Sequence, residues 1–146
     1  AVLMAASLEI GAYLGGASPS QSSSLYEFGI NLGIAFQIQD DILDTYGDES
    51  KFGKAIGGDI SVGKKTFLYI TAFGLADSSQ RSILSRSRDL AEVRGVYDSL
   101  GVLEISRACV LEYFDRAIGC LGASHSDSSC TAMLREYAEV LLNRIK

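Results

Sequence analysis

Apolar residues recur along this chain at helical spacing, and no stretch of alternating apolar and polar positions survives. Ala1 to Leu14 is an apolar run ending at Gly15-Gly16, a pair suited to a helix C-cap. Ser18 followed by Pro19 is a start signal, with Ser18 as N-cap and Pro19 at the first helical position. The pattern predicts a long helix from about Pro19 to Thr45, with Leu25, Phe28, Leu32 and Phe36 one or two turns apart. Gly29 and Gly33 weaken that helix locally and predict the close approach of a second helix. Tyr46 to Gly63, rich in glycine and charge, predicts an exposed, mobile loop with backbone N–H groups available to ligands. Lys64 to Ala76 is predicted helical with Thr66, Phe67, Ile70 and Phe73 inward. Another helix starts at Ser78-Ser79 and runs through Leu84, Leu90 and Val93. A third, from about Leu100 to Leu121, turns Leu103, Ala108, Leu111, Phe114 and Ile118 inward. Ser126 or Asp127 caps a last helix that reaches Ile145. The expected fold class is all-α.

Composition narrows this reading. The 146 residues are 47% hydrophobic, enough for a real core. A single proline favours long helices. The net charge of −5 argues against a general nucleic-acid binder, which needs a basic field to displace counterions. Three cysteines with no CxxC suggest neither a disulfide framework nor a zinc site, but reduced thiols in a cytoplasmic protein. No apolar run reaches the roughly 18 to 20 residues of a membrane span. Ala1 to Leu14 is interrupted by Ser7 and Glu9 and lacks a basic leader, so it is a poor signal peptide. The helical pattern is already running at Val2 with no capping residue before it, so the chain reads as a fragment of a longer protein.

The candidate chemistry lies in Phe36-Gln37-Ile38-Gln39-Asp40-Asp41-Ile42-Leu43-Asp44. At about 100° per residue, Asp40, Asp41 and Asp44 fall within one arc of the helix, with Gln37 inside it. The flanking residues are apolar, and like charges crowded beside a core repel one another and lose hydration. Cations relieve that cost. An all-oxygen donor set without nearby His or Cys suits Mg²⁺ or Mn²⁺ better than Zn²⁺. Lys54, Lys64 and Lys65, set among glycines, supply phosphate-binding groups downstream. The plain alternative for the aspartates, a solvated acidic face, is opposed by their apolar flanks; the lysines taken alone read as loop solubility, but not beside the aspartates. His125, the only histidine, stands in a Ser-rich loop and is not read as catalytic.

The ordered set of Phe36-Gln37, Asp40-Asp41, Asp44, Gly53-Lys54, Gly58-Asp59-Ile60 and Gly63-Lys64-Lys65-Thr66 resembles the second aspartate-rich region of trans-prenyl diphosphate synthases. The match runs from Leu32 to Leu68 in order and spacing. The resemblance implies an isoprenoid-synthase-type helical bundle, of which residues 1–146 form the C-terminal part of a single domain. It implies a Mg²⁺-dependent prenyltransferase, usually a homodimer, that condenses isopentenyl diphosphate with an allylic diphosphate by ionisation, condensation and elimination. Carried over by position, Asp40 is the most direct metal ligand, and Asp41 and Asp44 act through metal-bound water or as second ligands. Gln37, Lys54 and Lys64 meet the allylic diphosphate, with Asp40, Lys64 and Gln37 as the catalytic set. Asp59 holds the metal-water shell or the loop lysine. Arg144 and Lys146 resemble a basic tail that closes over isopentenyl diphosphate; read plainly, they are helix-end cations. The family's first aspartate-rich motif is absent, as is the Lys-Thr pair expected just before Ala1. The chain by itself is therefore expected to supply half a metal-diphosphate site, and to bind without turnover. Two further readings are a non-catalytic heteromer subunit, which usually loses its aspartates, and a terpene cyclase, which usually carries a different second metal motif.

Overall fold

The computed structural model describes residues 1–48, 56–123 and 128–142. Among these residues the secondary structure is helical throughout, with no strand. The helices are α1 (Val2–Leu14), α2 (Pro19–Tyr46), α3 (Gly58–Ser61), α4 (Phe67–Leu75), α5 (Ser78–Arg86), α6 (Leu90–Ser99), α7 (Val102–Ala123) and α8 (Ser128–Leu142). The all-α expectation holds. The chain divides into two compact units, Ala1–Gln37 with Cys109–Lys146, and Ile38–Ala108.

In the first unit, α1 ends where the glycine pair predicts. Gly16 takes φ 80°, and the Ala17 N–H returns to the Ala12 carbonyl at 3.0 Å. At the start of α2, the Ser18 N–H donates to Gln21 Oε1 at 2.8 Å and the Gln21 N–H donates to Ser18 Oγ at 3.3 Å. This reciprocal box satisfies donors that the first turn cannot bond internally. Gly29 and Gly33 do mark a helix crossing: a Cβ on either would lie 2.5 Å from the Cα of Ala5 or Ala1 respectively. Phe28, Leu32, Ala117, Leu121 and Ala138 form the buried centre, with Met4, Leu8, Phe114 and Leu134 packed on it.

The second unit holds the end of α2, helices α3 to α6 and the start of α7, around buried Ile38, Ile42, Ile60, Leu68, Val93, Val96 and Tyr97. Two boundaries here differ from the sequence reading, and each has a capping side chain as its cause. Helix α4 begins at Phe67 because the Thr66 side chain accepts from the Tyr69 N–H at 3.2 Å. The helix expected from Ser78 through Val93 is two helices, because the Asp89 carboxylate accepts from the Glu92 N–H at 2.9 Å and starts a new one. Helix α5 does start at Ser78, where Asp77 caps it in a full capping box with Gln80.

Two faces also differ. Ile70 points outward at 62% exposure, and Leu68 and Ala72 fill the core instead. Helix α7 buries Val102, Ser106 and Val110, whereas Ala108 and Leu111 are exposed. Ser106 satisfies its hydroxyl on the Val102 carbonyl at 2.7 Å, so its burial leaves no polar group unpaired. The predicted cap at Ser126 or Asp127 lies outside the described residues, as does the expected helix end at Ile145.

Candidate functional site

The last turns of α2 carry the three aspartates in three environments. Asp40 is exposed, Asp44 is half-buried, and Asp41 is 5% exposed. Gln37 is exposed on the same helix. The segment returning from Gly57 to Phe67 is attached to α2 mainly through Asp41 and Asp44. The Gly57 N–H donates to the Asp44 carbonyl at 2.6 Å, and the Asp59 N–H donates to Asp44 Oδ2 at 2.9 Å. Helix α3 is a single turn whose geometry requires glycine on both sides: Gly57 has φ 80° and Gly63 has φ 68°, a region that costs other residues strain. The Lys64 N–H then returns to the Asp59 carbonyl at 2.9 Å.

This turn brings Lys64 back over α2. Its Nζ lies 2.6 Å from Asp59 Oδ2 and 3.4 Å from Asp41 Oδ1. The hydrogen bond to Asp59 raises the Lys64 pKa, burial pulls it down, and the Asp41 charge raises it again. Lys64 therefore stays an ammonium. The other oxygen of Asp41 accepts from the Phe67 N–H, at the first turn of α4, at 3.4 Å. Lys65 points elsewhere, with its Nζ 3.6 Å from the centre of the Tyr69 ring, a cation–π contact.

Two neighbours carried no usable sequence signal. Tyr97, buried in the core, has its phenol pushed up to about 12 by burial, with a hydrogen bond to Thr66 pulling the other way. Tyr46, at the end of α2, donates to Asp98 Oδ1 at 2.8 Å, and the Arg94 guanidinium lies 4.7 Å from its ring centre. Their partners lie tens of residues away in sequence, and a single sequence does not show such pairing. Lys54, Arg144 and Lys146 lie outside the described residues, as does His125.

Among the described residues no three His, Cys, Asp or Glu side chains converge as a metal cage. The donor chemistry nevertheless fits a hard dication. Asp40 and Asp44 stand one turn apart on α2, and Mg²⁺ commonly takes one or two carboxylates and completes its octahedron with water and substrate phosphates.

A model of the polyprenyl synthetase family matches residues 1–99, and the chain belongs to that family. It is similar to the geranylgeranyl diphosphate synthase of Sulfolobus acidocaldarius, 34% identical across 100% of this chain and 47% of that protein. Among solved structures, a decaprenyl diphosphate synthase from Rhodobacter capsulatus superposes with a TM-score of 0.87 at 33% identity, covering 99% of this chain and 46% of that one. A polyprenyl synthase from Caulobacter crescentus, complexed with calcium and isoprenyl diphosphate, gives 0.84 at 28% identity over 99% of this chain and 46% of its own. The chain thus spans less than half the length of these relatives. No described helix is long and apolar enough to cross a membrane.

Proposed function

We propose that the protein carrying this chain is a prenyl diphosphate synthase, with residues 1–146 forming the C-terminal part of its single all-α domain and contributing one half of the metal-diphosphate site. In that reaction the allylic C–O bond breaks and diphosphate leaves with its electron pair. The allylic carbon bonds to the terminal alkene carbon of isopentenyl diphosphate, and a proton is lost to restore a double bond. The observation that carries the reading is the Lys64 ammonium held by Asp59 and by Asp41, the residue that follows the exposed Asp40 on α2. Two of its three N–H donors are committed to carboxylates, and the third remains to meet an oxygen of the leaving diphosphate. Asp40 and Asp44 would hold Mg²⁺ or Mn²⁺, which when bound supplies charge stabilisation to the departing diphosphate. Gln37 and Lys54 orient the allylic diphosphate, and Arg144 with Lys146 close over isopentenyl diphosphate. A cytoplasmic homodimer is the assembly that the family likeness supports.

The test is incorporation of labelled isopentenyl diphosphate by the full-length protein with Mg²⁺ and an allylic diphosphate. Asp40→Ala is expected to abolish incorporation, as is chelation of the metal. Lys64→Ala is expected to weaken allylic diphosphate binding by about 1.5–3 kcal/mol. Full activity in both variants would sink the reading. Persistent inactivity of the unaltered full-length protein would favour a non-catalytic subunit.

A further inference from the structure

We propose that Asp41 is a positioning residue, a counter-ion that with Asp59 orients Lys64 and that also holds the start of α4, and not a ligand of the dication. The inference rests on the synthase reading above and divides the labour within the aspartate-rich turn. Both oxygens of Asp41 already face positive partners. One is 3.4 Å from the Lys64 ammonium and the other 3.4 Å from the Phe67 N–H. That N–H stands at the N-terminus of a nine-residue helix, the end that carries partial positive charge. A dication at the same carboxylate would lie against an ammonium and a helix N-terminus, and like charges repel strongly where water is excluded. Space opposes it as well. Mg²⁺ dehydrates reluctantly and keeps several waters, but the Asp41 side chain is only 5% exposed. Asp40, exposed, and Asp44, half-buried, carry no such ammonium among the described residues.

Removing the charge of Asp41 therefore leaves Lys64 anchored by Asp59 alone and no longer drawn over α2, and should weaken the grip on phosphate without weakening the grip on metal. A direct ligand behaves in the opposite way. The experiment titrates Mn²⁺ alone, by electron paramagnetic resonance, and inorganic diphosphate, by calorimetry, into the full-length protein and its Asp40→Asn, Asp41→Asn and Asp41→Glu variants. The expected result is a Mn²⁺ dissociation constant within about twofold of the original in Asp41→Asn, and about tenfold weaker diphosphate binding. Asp41→Glu, which keeps the charge, restores most of that loss. Asp40→Asn weakens Mn²⁺ by about tenfold or more.

A loss of Mn²⁺ affinity in Asp41→Asn equal to that in Asp40→Asn overturns the proposal, as does unchanged diphosphate binding in Asp41→Asn. If Asp40→Asn leaves Mn²⁺ binding intact, the metal assignment above fails instead, and the diphosphate result still decides the role of Asp41. Should Asp41→Asn not fold, amide exchange in the unaltered protein gives the answer. Saturating Mg²⁺ is expected to leave the protection of the Phe67 N–H unchanged, because its acceptor stays in place. Accelerated exchange at Phe67 would show the metal taking Asp41 away.

Discussion

Gly29 and Gly95 are both helical glycines, and they predict opposite effects of the same substitution. A Cβ at Gly29 would lie 2.5 Å from the Cα and 2.8 Å from the N of Ala5, both backbone atoms that cannot swing aside. Gly29→Ala should therefore push α1 from α2 and cost about 1–3 kcal/mol. A Cβ at Gly95 would meet nothing within 4 Å, so Gly95→Ala should gain about 0.5–1 kcal/mol from reduced chain entropy. Urea unfolding of the two variants checks both signs. Titration acts at the same scale. Lys64 is raised by its bond to Asp59, Tyr97 is raised to about 12 by burial, and Tyr46 is raised by burial and Asp98. Each group holds its proton more tightly folded than unfolded. Their stability is fully present below the unfolded values near pH 10 and is lost as pH rises through the folded ones. Unfolding free energy measured between pH 9 and 12 should fall, and Tyr97→Phe should flatten part of that slope.

At the scale of the element, caps decide more than hydrophobic periodicity does. Periodicity runs straight from Ser78 to Val93, yet one helix ends at Arg86 and the Asp89 carboxylate begins the next. Asp89→Ala should cost about 0.5–2 kcal/mol, whereas Ser78→Ala should change little, because the cap of α5 is Asp77. Thermal unfolding of the pair distinguishes them. What was legible in the sequence follows the same division. Signals carried by neighbours in the chain were readable: Gly15-Gly16, Ser18-Pro19, and the order of the aspartates, glycines and lysines. The crossing at Gly29 and Gly33 was readable because only a close approach gives two glycines one turn apart a purpose. The inward face of α7 was misread in its first half, since a buried serine that bonds its own helix looks polar in sequence, whereas Phe114 and Ile118 pack on the core as expected. The unequal burial of Asp40, Asp41 and Asp44 was not legible. Helical spacing sets their angles, but the returning Gly57–Phe67 segment decides which of them it covers.

On the scale of the whole molecule, the unit containing α1 leaves much apolar surface open to water. Leu3 is 82% exposed, Leu14 79%, Tyr13 76% and Tyr137 55%. A cavity of about 430 Å³ lies beside Leu3, Met4, Leu8, Phe28, Leu134 and Tyr137. Contiguous apolar surface of this kind is rare on stable monomers and marks places where other chain packs. The matched solved structures contain roughly twice the length of this chain, so those folds have material available for such a role. The 146 residues produced alone should therefore bind a hydrophobic dye and associate as concentration rises, in sedimentation velocity runs. Leu3→Lys and Leu14→Lys should reduce both signals without lowering helix content, because neither side chain belongs to the buried centre. A dye-silent monomer at all concentrations would mean that this apolar face is stable in water. The open surface would then need an explanation other than packing against further chain.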